Sequence, residues 1–142
     1  MNLLRTIAFK WDPVGEIKKA IIMWSPGELK QEKDYEISLY NFLHEYFADI
    51  QIAKQYGVGM SHADLNVGDK VLIEIKKDLQ EKTKFDRLIG QLEDYLKWKG
   101  ETIILLVGET EPNLRKKLLR HAEERSSYHS PGFHLINKQA EV

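Results

Sequence analysis

The sequence predicts a single α/β domain of the α+β kind, built on a mixed sheet. Three observations predict it. TIILLVG, residues 102–108, is an unbroken apolar run between turn signals, the pattern of a strand buried on both faces. HADLNVGDKVLIEIKK, residues 62–77, alternates apolar and polar residues on either side of Gly68 and Asp69, as a hairpin does. Apolar stripes at spacings of three and four lie before, between and after these strands, and each marks an amphipathic helix.

In chain order, Ile7, Phe9 and Trp11 alternate like a short strand, while Ile17, Ala20, Ile21 and Trp24 sit at helical spacing. Ser25, Pro26 and Gly27 then break the chain. Residues 1–30 therefore read as an extension packed on the core and as a candidate dimer surface. From Gln31 to Phe47, the spacing of Leu39, Tyr40, Leu43, Tyr46 and Phe47 predicts a helix, followed by a short strand at 50–53 and a connector holding Gly57 and Gly59. After the hairpin, Phe85, Leu88, Ile89, Leu92 and Leu96 predict a helix over 84–99 closed by Gly100. Beyond the buried strand, Glu111 and Pro112 open a helix with Leu114, Leu118 and Ala122 on its core face. Ser130, Pro131 and Gly132 turn the chain into a last short strand from Phe133 to Ile136.

The totals exclude several classes. With 142 residues, 42% hydrophobic and 30% charged, the chain suits one folded domain and neither a disordered nor a low-complexity segment. The absence of cysteine excludes disulfides and thiolate metal sites and fits a reducing compartment. No apolar run approaches the ~20 residues of a membrane span, and MNLLRTIAFKWDPVG lacks the pattern of a signal peptide. A soluble, cytoplasmic protein is the expectation. A net charge of −1 means that nucleic-acid binding would need a local basic patch.

The hairpin carries the chemistry. For its apolar triplets Ala63, Leu65, Val67 and Val71, Ile73, Ile75 to meet, Leu65 must lie opposite Ile73, with Gly68, Asp69 and Lys70 as the loop. The same arithmetic sets Asp64 opposite Glu74. Two carboxylates at roughly 5 Å repel by about 3 kcal/mol at an effective dielectric near 20. Either one carboxyl holds a proton, or a cation sits between them. Lys76 projects from the same face as Glu74, where an ammonium can hold an attacking water or stabilise charge on a phosphate. Against this stands the ordinary reading, in which an E-x-K spacing arises by chance on the wet face of a sheet.

Asp64 followed by Glu74-Ile75-Lys76 on the next strand resembles the signature of the PD-(D/E)XK nuclease superfamily. RLIGQLEDYL, with Gln91 and Tyr95, is similar to the QxxxY motif of one of its branches, and Glu36 stands where family members often have a further acidic ligand. Small Holliday-junction resolvases and Mrr-type domains look similar. The likeness covers residues 31–142; Ala63 stands where the name-giving proline would be. The resemblance implies a restriction-endonuclease-like core of order αβββαβ, with an additional helix and strand after it. It also implies a magnesium- or manganese-dependent phosphodiesterase, an endonuclease in preference to an exonuclease, acting on DNA in preference to RNA, and one selective for DNA structure in preference to sequence. Asp64, Glu74 and the Ile75 carbonyl would bind the metal, Lys76 would orient the water, and Glu36 would hold metal or a metal-bound water. No separate recognition domain is evident, so targeting would come from a partner protein or a homodimer. Two rival readings are a catalytically inactive module of this fold that binds nucleic acid or protein, and a hydrolase of nucleotides or other phosphate esters.

Several residues carry two readings each. Glu36 is either a site residue near its helix's core stripe or a first-turn glutamate favoured by the helix dipole. Arg87, Gln91 and Tyr95, spaced by four, form a line beside the apolar stripe, at the cleft edge or in solvent. His62 falls opposite Lys76, as a ligand or as polar surface. His129 and His134 lack a zinc partner set. Arg115, Lys116, Lys117 and Arg120 give the last helix a basic face, and Lys76, Lys77, Lys82 and Lys84 cluster at the hairpin exit. These are the candidate phosphate contacts. Trp11, Trp24 and Trp98 read as core or interface.

Overall fold

The computed structural model describes residues 3–128 and 132–138. Its elements are α1 (Leu3–Trp11), α2 (Pro13–Met23), α3 (Glu32–Tyr46), β1 (Ile52–Val58), β2 (Ser61–Val67), β3 (Val71–Lys77), α4 (Lys82–Tyr95), β4 (Glu101–Val107), α5 (Pro112–Tyr128) and β5 (Phe133–Lys138). The five strands form one sheet in the order β1-β2-β3-β4-β5. The first two pairings are antiparallel and the last two parallel, so the sheet is mixed. From α3 to β4 the order is αβββαβ, and α5 and β5 follow it.

Two apolar clusters sandwich the sheet. On one face Leu65, Val71, Ile73, Ile75, Ile103 and Leu105 pack against α1, α2 and α3 through Phe9, Ile17, Ile21, Leu39 and Leu43. On the other, Leu72, Ile104 and Leu106 pack against α4 and α5 through Leu88, Leu92, Leu114 and Leu118. Strand β4 alternates between the two clusters and is buried on both faces, which is why its sequence reads as one apolar run.

Local chemistry sets the boundaries. Asp12 caps α2, its Oδ1 accepting the Gly15 N–H at 3.0 Å, with Pro13 next in line. Gln31 and Asp34 form a reciprocal box at the start of α3. Gly68 has φ +62°, and a Cβ there would lie 2.7 Å from the Phe9 ring, so the hairpin loop needs glycine both for its backbone and for the approach of α1.

Four expectations are corrected. Residues 7–11 are helical: among Ile7, Phe9 and Trp11 only Phe9 is buried, and a strand face would have buried all three. A three-residue alternation is too short to fix a strand, and in α1 only Phe9 meets the core. Trp11 is 86% exposed, so it is not core, whereas Trp24 is. Gly57 lies inside β1, which runs on to Val58; only Gly59, at φ +61°, serves the turn into β2. Helix α4 ends at Tyr95, and Gly100 lies beyond its cap, where the backbone of Lys70 and the Trp98 ring leave no room for a Cβ. Ser130, Pro131 and His129 lie outside the described residues.

Candidate active site

The hairpin has the anticipated register, with Leu65 opposite Ile73, Asn66 opposite Leu72 and Val67 opposite Val71. The pairing stops there, one step short of Asp64 and Glu74. Instead of facing its neighbour across a regular ladder, Asp64 turns its Oδ2 onto the Ile75 N–H and accepts it at 2.7 Å.

The cause is a kink shared by β1 and β2. Residues 52–54 pair with 65–67 and residues 56–58 with 61–63, while Gln55 and Asp64 between them do not pair. Gln55 has φ +50°, in the left-handed region that a side chain disfavours. No residue is inserted, yet the faces exchange: Leu65 and Val67 pack towards α1–α3, whereas Ala63 packs towards α4. Ala63 therefore does not share a face with Leu65 and Val67, contrary to simple alternation. The exchange frees Asp64 from the ladder and places it between the two layers.

Asp64, Glu74, Lys76, Gln91, Gln55 and Glu32 line one open cleft of about 470 Å³. Met60, Ser61, His62 and Arg87 form its margin. Glu74 is buried, its Oε1 accepting the Tyr95 hydroxyl at 2.7 Å and its Oε2 lying 3.2 Å from Lys76 Nζ. Tyr95 is correspondingly a core residue of α4 and not part of its edge, as its place in the apolar cluster shows. Gln91, one turn earlier, has its Oε1 buried without a partner. Glu36 is also buried, but its carboxylate accepts from Lys33 Nζ at 3.1–3.2 Å and from Gln55 Nε2 at 2.9 Å, and it does not line the cleft. Gln55 Nε2 lies 3.4 Å from Asp64 Oδ1, so one amide links Glu36 to Asp64. Glu32, a turn before Glu36, lines the cleft with its Oε1 bound to the Lys77 N–H at 2.9 Å.

The electrostatics follow from this packing. Burial, with the Glu74 carboxylate second, pushes the Asp64 carboxyl up to about 8, against the opposing pull of the Ile75 N–H. Burial likewise raises Glu74, opposed by Lys76 and by the Tyr95 hydroxyl. Tyr95 itself is pushed far above the usual phenol range by burial and by Glu74, so it acts as a hydrogen-bond donor and not as an anion. The cleft thus holds two buried, raised carboxyls, with the Lys76 ammonium beside Glu74 and with Glu32 and Arg87 also in its lining.

Among the described residues, no group of three or more His, Cys, Asp or Glu side chains is arranged to hold a metal ion. Two carboxylates opening on one cleft nevertheless suit a hard divalent ion that keeps most of its water, as magnesium does. The fit rests on the donor set: Asp64 and Glu74 face the same cleft, and a bound cation would offset the burial that raises both carboxyls.

Sequence reasoning missed Gln55 and Glu32. Nothing in QIAKQYGVG announces a left-handed residue, and Glu32 carries the same first-turn signal as any dipole-favoured glutamate. His62 pairs with Gly57 at the exposed margin, and His134 Nε2 lies 3.0 Å from Glu101. Among the described residues no helix is long and apolar enough to cross a membrane.

No family model matches the chain, and no curated protein matches it. The structure of Pyrococcus furiosus SfsA in complex with Ca2+ is similar at 15% identity and a TM-score of 0.47, over 78% of this chain and 57% of that one. This chain thus spans little more than half the length of that protein. Likeness at that level is distant.

Proposed function

We propose that the protein is a metal-dependent nuclease that hydrolyses phosphodiester bonds in DNA, cutting within the strand. The observation that carries this reading is the convergence of Asp64, Glu74 and Lys76 on one open cleft, with both carboxyls raised, chiefly by their burial. Asp64 and Glu74, with the backbone carbonyl of Ile75, would hold a magnesium or manganese ion. The ion supplies Lewis-acid stabilisation of a phosphoryl oxygen and lowers the pKa of water.

The chain's own groups do the rest. The Lys76 ammonium, 3.2 Å from Glu74, donates to the attacking water or to the phosphate as charge builds on it. Tyr95 fixes one oxygen of Glu74 and leaves the other towards Lys76. Gln91 presents an unused acceptor beside them, able to orient a water or the lysine. Glu36 enters through Gln55, whose amide steadies the free oxygen of Asp64.

The test is cleavage of branched, single-stranded and duplex DNA with magnesium, with manganese and with chelator. Expected is metal-dependent cleavage that falls by about a hundredfold or more in Glu74→Gln and in Lys76→Ala, with the fold kept, as for loss of one transition-state donor. Unchanged cleavage in both variants refutes the assigned residues. No cleavage of any substrate together with no magnesium binding refutes the reading and favours a non-catalytic module.

A further inference from the structure

The carboxylate cleft opens into a second cleft of about 410 Å³, and the two share Glu32, Lys76 and Arg87 in their walls. Five cations line this second cleft: Lys30, Lys76, Lys77, Lys84 and Arg87. The acids in its lining, Glu32 and Asp78, are already engaged. Glu32 accepts the Lys77 N–H, and Asp78 pairs with the Lys77 ammonium and accepts the Glu109 N–H at 2.8 Å. Lys76 is held by Glu74. Lys30, Lys84 and Arg87 are exposed and, among the described residues, have no ion-pair partner. Lys82, two residues before Lys84, is by contrast paired with Asp86 at 2.7 Å.

Three cations without an ion-pair partner among the described residues gather beside the carboxylate cleft, with the Glu32 carboxylate as partial compensation, in a chain whose net charge is −1. Lys84 and Arg87, three residues apart on α4, share one helix face, and Lys30 lies just before α3, so the cleft is walled by cations from both layers. The basic face of α5 is different. Arg115 lines a cleft that shares no residue with either of these and meets the second cleft only through a third, whose lining includes the acids Glu28, Asp78 and Glu109.

We infer that the second cleft seats the DNA backbone on one side of the bond to be cut, with Lys30, Lys84 and Arg87 as its phosphate contacts. This rests on the nuclease reading for the position of the scissile bond. The α5 face takes no part.

Fluorescence anisotropy with labelled DNA, single-stranded and duplex, in chelator and across a salt series, tests it. The three-residue variant Lys30→Ala, Lys84→Ala, Arg87→Ala is compared with Arg115→Ala, Lys116→Ala, Lys117→Ala, Arg120→Ala, after melting curves show both folded. Expected is at least a tenfold weakening for the first variant near 0.1 M salt. Its slope of log affinity against log salt should also fall by roughly two to three, at about 0.7–0.9 per phosphate contact. The second variant should match the wild type. Affinity within about twofold of wild type for the first variant, or loss in the second instead, overturns the assignment, as does a wild type with no salt-dependent DNA binding. A wild type that binds through these three residues but cuts nothing leaves the cleft assigned and overturns the nuclease reading.

Discussion

Replacing Asp64 by asparagine should change the pH dependence of stability in a way that can be computed from its surroundings. The carboxyl titrates at about 8 in the folded chain and near 3.8 when unfolded. Between those values the folded state binds the extra proton, so the free energy of unfolding falls as pH rises, and the stabilisation is lost once pH passes the folded value. Four units at about 1.36 kcal/mol each set a ceiling of roughly 5–6 kcal/mol over the whole range. The useful window is narrower. His121 is lowered by burial and by Arg125, so it contributes with the opposite sign, adding stability as pH rises towards 6.5. From pH 6.5 to 8 that opposition is spent, and Asp64 should remove about 1–2 kcal/mol, with the raised Glu74 contributing in the same direction wherever it ionises.

The assay is urea unfolding in chelator at several pH values across that window. The wild-type midpoint should drop with an unchanged m-value, and the Asp64→Asn midpoint should drop less, by the part assigned to Asp64. Asparagine keeps an oxygen for the Ile75 N–H but can set its amide against that of Gln55, a cost that shifts the level of the curve and not its slope. Added magnesium at pH 8 should restore the wild type, by binding the folded form, and leave the variant where it was. Equal slopes in the two proteins, or a magnesium effect that survives in Asp64→Asn, refute the reasoning.

Other substitutions read other parts of the site. Gln55→Gly relieves the left-handed backbone that Gln55→Ala retains, while both lose the amide to Glu36, so the glycine variant should be the more stable by about 1 kcal/mol in urea titrations. Equal stability would mean that the kink carries no strain. Tyr95→Phe leaves Glu74 Oε1 buried without its donor and should cost about 1–3 kcal/mol, with the loss growing as pH rises and Glu74 ionises. A loss independent of pH would show that only packing had changed.

Much of the fold was legible because the apolar pattern is strong where burial is two-sided or strictly one-sided. Strand β4 announces itself by its unbroken run, and α4 by a stripe of which Leu88 and Leu92 are fully buried. The hairpin register followed from matching two apolar triplets, and the three observed pairs agree with it. The first helix was not legible, because Phe9 alone is buried and its exposed neighbours Leu4, Ile7 and Trp11 carry apolar side chains without a core to explain them. A period can be read only where burial imposes it.

The site shows the same limit more sharply. Arithmetic on the hairpin brought Asp64 towards Glu74, but it did so by assuming that Ala63 and Leu65 share a face, and they do not. The right neighbour was reached through a regular ladder that stops before it arrives. What brings Asp64 in is the paired lapse at Gln55 and Asp64, which keeps the register and reverses the faces. Because the register sum is preserved, the sequence spacing of the motif survives a distortion that alternation cannot express. A left-handed glutamine is an expensive way to end a ladder, and strain of that kind persists where its surroundings hold it. Here they do: Gln55 spends its amide on Glu36 and Asp64 together. The buried Glu36, a carboxylate near a core stripe held by Lys33 and Gln55, is thereby explained as the anchor of the kink. Glu36→Gln, which offers an oxygen in place of the charge, should shrink the pH slope assigned to Asp64 while the fold is retained, because it removes a charge that helps raise Asp64 and weakens the anchor of Gln55.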